Sequence, residues 1–399
     1  MLRQPKAVST DRYVTERPQR GVDALMKVTA SVLVGALTLS LMGPAGAKSA
    51  TGPLERNMPV PQRMFVSGHS LTNEPIPSNV ASIAAGFGFQ LAWNRQHLDG
   101  SSIKQRSRGS ASGDQPWTGF AAGLDRTNRP IDVVAEFRRQ QDAPYDALLI
   151  TEQHSLLGSL VWNDTPAHLR HFQDRFHAHN PKGLTYFFES WISLDDKNNP
   201  ARWVSYERAA APVWQCIVGQ MNEALAAEGR GDRIVSLPVA SALAYLIERA
   251  TQGTGIEGIT LTTVRSTVDS LVSDDVHLTP LGNYYISLVT FALTFGHPVQ
   301  GAWQPTGITA QQAAVLQAVA DAFVQLPQAP TKSLEACRSY VKWSFMWTYL
   351  GYTNRTNWRR ERGYLGSLYF RTKLVIQWWW LFSSSKPENP FAKAAYLRR

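Results

Sequence analysis

The sequence predicts an α/β fold: a mostly parallel sheet flanked by helices, followed by a carboxyl-terminal appendage of different composition. Three observations carry this. From Met64 to Leu237 short apolar runs alternate with longer helix-like segments, the order that builds a parallel sheet with helical crossovers. The first run, Met64-Phe65-Val66, stops in small residues, as a buried strand does when it enters a tight turn. Beyond Thr331 the chain becomes rich in tryptophan and cations. With 399 residues, 44% apolar and 18% charged, there is ample material for one substantial core, and the composition excludes a disordered chain.

Residues 1 to 47 read as a signal peptide. Val28 to Met42 is a weakly polar to apolar stretch after Lys27, and Ala45-Gly46-Ala47 supplies an A-x-A cleavage site. Its apolar run is short for a membrane span. Met26 opens a complete signal peptide by itself, so the residues before it read as an over-extended start or a dispensable leader; an uncleaved anchor is the alternative. The expected location is the periplasm or the exterior.

The exported chain then divides into a domain over residues 48 to 326 and an appendage over residues 327 to 399. Lys48 to Val60 is a polar lead-in. After the first strand, Ile76 to Phe87 reads as a helix whose Ala81, Ala84 and Ala85 allow close approach to the sheet, and Gly88 to Trp93 as the second strand. Gln96 to Gly123, with Gly100, Gly109, Gly113 and Gly119 among Ser and Arg, is a long irregular stretch that suits a binding loop. Ile131 to Gln140 reads as a short helix and Tyr145 to Thr151 as a central strand.

Helices at Ala167 to His179, Trp203 to Glu228 and Val239 to Glu248 then alternate with strands at Leu184 to Glu189 and Arg233 to Leu237. Gly282 to Leu293 is a helix beyond the expected last strand. Ala310 to Leu326 is another, with Val315, Val319 and Phe323 as its apolar residues.

The formal charge of +9 resides in the tail, where 13 Lys or Arg stand against 3 acidic residues. No basic stripe crosses the domain, so nucleic acid is not an expected partner. Cys216 and Cys337 permit a disulfide in an oxidising compartment, and two isolated buried thiols are the other reading. CxxC and HExxH spacings are absent, and His168, His171, His177 and His179 read as a solvated helix face, so no metal or other cofactor is expected.

Two distant segments carry the chemistry. Arg63 to Leu71 reads RMFVSGHSL and leaves Ser70 at the end of the first strand, where open α/β sheets hold ligands. Ser273 to Leu293 reads SDDVHLTPLGNYYISLVTFAL, with Asp274 and His277 three positions apart in a polar loop before a helix. A hydroxyl becomes a nucleophile when an imidazole takes its proton and a carboxylate orients the imidazole. Singly, Ser70 is also a helix cap and Asp274 with His277 a surface turn.

As a pair, GHSL and DDVHLTPLGNYY resemble the first and last sequence blocks of the SGNH, or GDSL-type, hydrolase superfamily. The likeness runs from about Pro59 to Phe295 and implies a flavodoxin-like three-layer fold. It puts Ser70 on the nucleophile, His277 on the base and Asp274 on the orienting acid, with Asp275 as a competitor for that last role. His69 stands where the commoner form has Asp. The superfamily's second block implies an oxyanion donor at the Gly100 N–H, with Gly113 as a competitor, beside the N–H of Ser70 itself. Its third block normally offers Asn; here Gln153 is the amide in that place, and Glu152 or Gln153 as a plain loop residue is the other reading.

Trp93, Trp117, Trp162 and Trp191 are candidate platforms for sugar rings, with Trp93, Trp117 and Trp191 the expected substrate-binding residues; a place in the core is the other reading of each taken singly. The function expected is a serine esterase removing short, acetyl-like groups from an extracytoplasmic carbohydrate or envelope polysaccharide. A carbohydrate O-acyltransferase using the same residues, or an inactive glycan-binding or assembly protein, are the alternatives. Trp343, Trp347, Trp358, Trp378, Trp379 and Trp380 lie among cations in residues 331 to 399, which suits docking on the domain or a protein partner, peripheral membrane contact, or polysaccharide.

Overall fold

A computed structural model describes residues 59–108, 122–138, 144–327 and 332–397. The signal-peptide reading, Gly109, Gly113, Trp117 and Gly119 lie outside the described residues.

Among the described residues seven strands form one mixed sheet in the order β4-β3-β2-β1-β5-β6-β7. They are β1 (Arg63–Gly68), β2 (Ala92–His97), β3 (Ala122–Asp125), β4 (Pro130–Asp132), β5 (Ala147–Thr151), β6 (Leu184–Phe188) and β7 (Ile234–Leu237). β1, β2, β5, β6 and β7 run parallel, while β3 and β4 add an antiparallel hairpin at one edge. That hairpin replaces part of the expected irregular stretch and the start of the expected helix at Ile131. Asp125 builds it, its carboxylate receiving the backbone N–H groups of Thr127 and Arg129 at 2.8 and 3.0 Å.

Alternation along β1 divides the helices between the two faces. Met64 and Val66 line a small apolar cavity with Ile76, Val80 and Thr290, on the side of α1 (Ile76–Gly86) and α9 (Pro280–Phe295). Phe65 stacks edge-on with Tyr145 at 5.4 Å, and Ser67 meets Arg106 of α2 (Ile103–Arg108) on the other side. α3 (Val133–Arg138), α4 (Leu156–Trp162) and α5 (Thr165–His179) group with α2. α7 (Val239–Thr251), α8 (Val264–Leu271) and α10 (Ala310–Val324) group with α9. The long α6 (Ala201–Ala227) packs against β7 and α7.

The strand expected at Gly88 starts later, because Phe87 closes α1 and Gly88 turns back with φ 82°. α2, inside the stretch expected to be irregular, and α4 and α8 are helices that the sequence pattern does not predict; all three are short, and α8 is held at its start by a reciprocal cap between Thr263 and Ser266.

The appendage is helical: α11 (Leu334–Tyr340), α12 (Met346–Thr353) and α13 (Arg359–Ser383), joined through wide π turns at Val341–Phe345 and Asn354–Trp358. Its inner face docks on the domain. Cys216 of α6 is bonded to Cys337 of α11, Tyr206 stacks at 4.7 Å on Tyr352, and Trp378 meets Trp162 at 5.6 Å. No helix among the described residues is long and apolar enough to cross a membrane.

Candidate active site

Ser70 begins the turn that follows the central strand β1. The turn is tight: Thr72 N–H donates to the His69 carbonyl at 2.9 Å, and a Cβ on Gly68 would lie 1.7 Å from Thr72 Oγ1. Only glycine fits where the strand folds over itself.

The DDVH segment arrives from across the sheet edge. Val272 and Leu278 form an isolated antiparallel bridge, and Ser273 N–H donates to the His277 carbonyl at 2.8 Å, closing the segment into a small loop. Gly282 lets α9 start close beneath it, since a Cβ there would come 2.2 Å from the Leu271 carbonyl oxygen. Thr279 caps α9 by accepting the Gly282 N–H.

In this arrangement His277 Nε2 lies 3.0 Å from Ser70 Oγ, and His277 Nδ1 lies 2.7 Å from Asp274 Oδ2. Asp274 Oδ1 also accepts the backbone N–H groups of Val276 and His277 at 2.8 and 2.6 Å. Partial burial works to raise the Asp274 pKa, but the hydrogen bonds from His277 and the two N–H groups outweigh it and hold the carboxyl below its ordinary value. The carboxylate against His277 is therefore that of Asp274; Asp275 is tied instead through its backbone, its carbonyl accepting Leu194 N–H at 2.6 Å. The site is open: the His277 and Asp274 side chains are 45% and 53% exposed.

Beneath Ser70 lies a buried polar floor that the sequence reading missed. Fully buried Arg106 donates to Ser67 Oγ at 3.1 Å, to the Ser101 carbonyl and hydroxyl at 2.8 and 2.6 Å, and to the Thr151 carbonyl. Glu152, also buried, accepts the N–H groups of Ile103 and Gln153 and the Thr165 hydroxyl. Burial raises its pKa, with Arg106 opposing. His69 accepts Leu71 N–H at Nδ1, so its Nε2 carries the proton given to the Glu152 carbonyl at 3.0 Å. Burial first, then the Arg106 charge, push this imidazole down to about 3, and it stays neutral. The signal for this floor was present as Arg106 and Glu152, but a cation among Ser and Gly reads as an open loop until a buried acid faces it.

The other expected site residues fare unevenly. Gly100 sits with φ 61° in the turn after β2, whose His97 pairs with Gly68, so it lies at the same sheet edge as Ser70. Gln153 follows β5 at that edge, half-buried, with its amide oxygen 3.5 Å from Ser159 Oγ. Trp93 and Trp191 are not platforms: they are 3% and 2% exposed. Trp93 sits inside the sheet's apolar face with Arg95 5.5 Å from its ring, and Trp191 spends its N–H on the Val276 carbonyl at 2.8 Å. Trp162 is partly buried, its ring 5.6 Å from that of Trp378. A flat aromatic ring buries more apolar area than any aliphatic side chain, and here the core claims it.

His168, 7% exposed, faces Ser107 Oγ at 3.3 Å and is not part of a solvated face. Among the described residues no group of three His, Cys, Asp or Glu side chains could hold a metal ion.

No protein-family model and no curated protein matches the chain. Among solved structures it is similar to a DUF4886 family protein from Bacteroides uniformis, at 14% identity and TM-score 0.47, over 68% of this chain and 98% of that one. It is also similar to the periplasmic domain of a lipopolysaccharide acetyltransferase of Salmonella ser. Paratyphi A, at 13% identity and TM-score 0.28, over 59% and 83% of the two chains. A third is a carbohydrate esterase family 2 enzyme with a carbohydrate-binding domain from Myceliophthora fergusii, at 13% identity and TM-score 0.29, over 60% and 69%. Likenesses at this level carry no activity across to this chain.

Proposed function

We propose that the chain is a serine acyl-transfer enzyme of the SGNH kind, an esterase that removes short acyl groups from an extracytoplasmic carbohydrate. The observation that carries this reading is the line Ser70 Oγ, His277 Nε2, His277 Nδ1, Asp274 Oδ2, in which a 3.0 Å contact joins two residues far apart in the chain and a 2.7 Å contact within one loop backs it. Its position at the carboxyl ends of parallel strands adds support.

In this reading His277 Nε2 takes the hydroxyl proton as Ser70 Oγ attacks the ester carbonyl, and Asp274 holds the ring and stabilises its charged form. The tetrahedral oxyanion meets the N–H groups of Ser70 and Gly100 and the Gln153 amide nitrogen, which is the end of that amide turned away from Ser159. The sugar alcohol leaves with the proton from His277. Water, deprotonated by the same imidazole, then releases the acyl group.

The open rim favours a bulky alcohol bearing a small acyl group over a long fatty chain. Extracytoplasmic placement is supported by the amino-terminal segment and by the Cys216–Cys337 bond, since such bonds persist in oxidising compartments.

The test is labelling by a fluorophosphonate together with acetate release from a panel of acetylated saccharides. Labelling at Ser70 and loss of both signals in Ser70→Ala are expected. Acetate release that survives Ser70→Ala would overturn the reading, and transfer of acetyl to a second saccharide in place of release would select the acyltransferase.

A further inference from the structure

α13 has two apolar faces where a globular surface helix has one. The inner one, Ser367, Leu374, Trp378 and Phe382, is buried against the rest of the chain. The outer one places Leu365, Tyr369, Ile376 and Trp380 on the opposite side at helical spacing, with exposures of 77, 72, 56 and 72%, and Leu368, 48% exposed, on the flank between the two. Trp343 and Trp347, 61% and 42% exposed, come from the neighbouring segment. Trp343 joins the α13 surface by an edge-on contact of 4.4 Å with Trp379, and Lys342 Nζ lies 4.3 Å over that same ring. A contiguous exposed patch of this kind marks a contact surface.

Its charge identifies what it contacts. Between residues 355 and 373 six cations, Arg355, Arg359, Arg360, Arg362, Arg371 and Lys373, accompany one acid, Glu361. Arg359 and Arg362 lie 5.1 and 4.2 Å over the Tyr364 and Phe370 rings at the start of the helix, and Lys373, four residues after Tyr369 and three before Ile376, stands beside the outer face itself. A second copy of this chain would bring the same cations against these. A sugar has no use for Leu365, Leu368 and Ile376, which offer no flat face. An anionic bilayer surface suits both features, taking aromatic and aliphatic side chains at the headgroup boundary and pairing phosphates with Arg and Lys.

We propose that the outer face of α13, continued by Trp343 and Trp347, is a peripheral membrane-binding surface for anionic lipid. The helix lies on the bilayer, since no described helix is long and apolar enough to cross it. The inference rests on the appendage alone and is independent of the chemistry at Ser70.

The test uses the full chain, so that its amino-terminal segment is common to every arm. An environment-sensitive dye is attached at Ile376→Cys or, as a control at the far edge of the sheet, at Arg126→Cys; both native cysteines are engaged in their own bond. Vesicles of phosphatidylglycerol should blue-shift the Ile376 probe and leave the Arg126 probe unmoved. Phosphatidylcholine should give little response, and about 0.5 M salt should reverse most of the shift.

Combining Leu365→Ser and Trp380→Ser with Arg360→Gln and Lys373→Gln should weaken vesicle binding at least tenfold, with an unchanged circular dichroism spectrum. A probe that shifts with protein concentration and not with lipid would overturn the proposal in favour of self-association. A probe silent to both, or equal responses at the two positions, would overturn it outright.

Discussion

Trp191 Nε1 donates to the carbonyl oxygen of Val276 at 2.8 Å, joining the loop after β6 to the loop that carries His277. Two further bonds run beside it: Leu194 N–H to the Asp275 carbonyl at 2.6 Å, and Lys197 Nζ to the Val272 carbonyl at 2.7 Å. The DDVH loop thus owes its place to its neighbour as much as to its own turn. Trp191→Phe keeps most of the ring and removes the donor, leaving the Val276 carbonyl short of a partner. Stability should fall by about 1–2 kcal/mol. Under the proposed function, the kcat for acetyl-ester hydrolysis should drop several-fold with KM within about twofold, measured by steady-state kinetics alongside urea unfolding. An unaltered kcat at the same stability loss would leave Trp191 with a packing role only.

Asp274 and Asp275 are chemically identical neighbours, so substitution separates them cleanly. If His277 is the base of the proposed reaction, Asp274→Asn should lower kcat by on the order of 10⁴, because the amide no longer holds the required tautomer of His277. Asp275→Asn, which leaves the backbone bond to Leu194 intact, should stay within about threefold of the parent. Reversed effects in the same assay would transfer the orienting role to Asp275.

The central strand, the turn at Ser70 and the loop at Asp274 and His277 were legible because each is a local pattern. An apolar run broken by Ser67 and Gly68 has few conformations open to it, and a three-residue acid–imidazole spacing closes on itself through backbone N–H groups. Residues whose role depends on a distant partner were not legible. Trp191 has the same identity whether it stacks on a sugar or anchors Val276. Arg106 reads as a loop cation until Glu152 and the Thr151 carbonyl surround it. The tail presents the same difficulty on one helix, since Trp378 and Trp380 are near neighbours in sequence and are 2% and 72% exposed.

Glu189 and Glu207 set a pH dependence of stability that is separate from catalysis. Both are buried: Glu189 receives the Ser236 hydroxyl, and Glu207 holds the Ile192 N–H at 2.7 Å. Burial pushes Glu189 up to about 8 and Glu207 well above its ordinary value. The folded chain therefore keeps protons that the unfolded chain releases near the ordinary glutamate value of 4.5. Over that interval the unfolded state binds fewer protons, so stability falls as pH rises from 4.5 to about 8, by up to about 1.4 kcal/mol per pH unit for Glu189. His69 acts oppositely: buried neutral, it costs stability as pH falls from 6.5 towards about 3. In Glu189→Gln the decline in melting temperature between pH 5 and pH 8 should be shallower than in the parent, followed by thermal unfolding in a pH series. Parallel profiles would mean that Glu189 ionises in the fold without penalty.

Tyr352 joins the appendage to the loop beside the site. Its hydroxyl donates to the Ser193 carbonyl at 2.7 Å and accepts Asp195 N–H at 3.2 Å, on the loop whose Trp191, Leu194 and Lys197 hold the His277 segment. Its ring remains packed on Tyr206 without the hydroxyl, so Tyr352→Phe should fold normally, with a stability loss of about 1 kcal/mol. If the loop transmits the contact, kcat for acetyl-ester hydrolysis should fall about three- to tenfold with KM little changed. The decisive measurement is the double variant with Trp191→Phe. Two contacts on one loop act on the same displacement, so their effects on kcat should fall short of additive. Full additivity would place Tyr352 and Trp191 on independent routes, and an unchanged kcat in Tyr352→Phe alone would restrict the appendage to holding its own inner face against the domain.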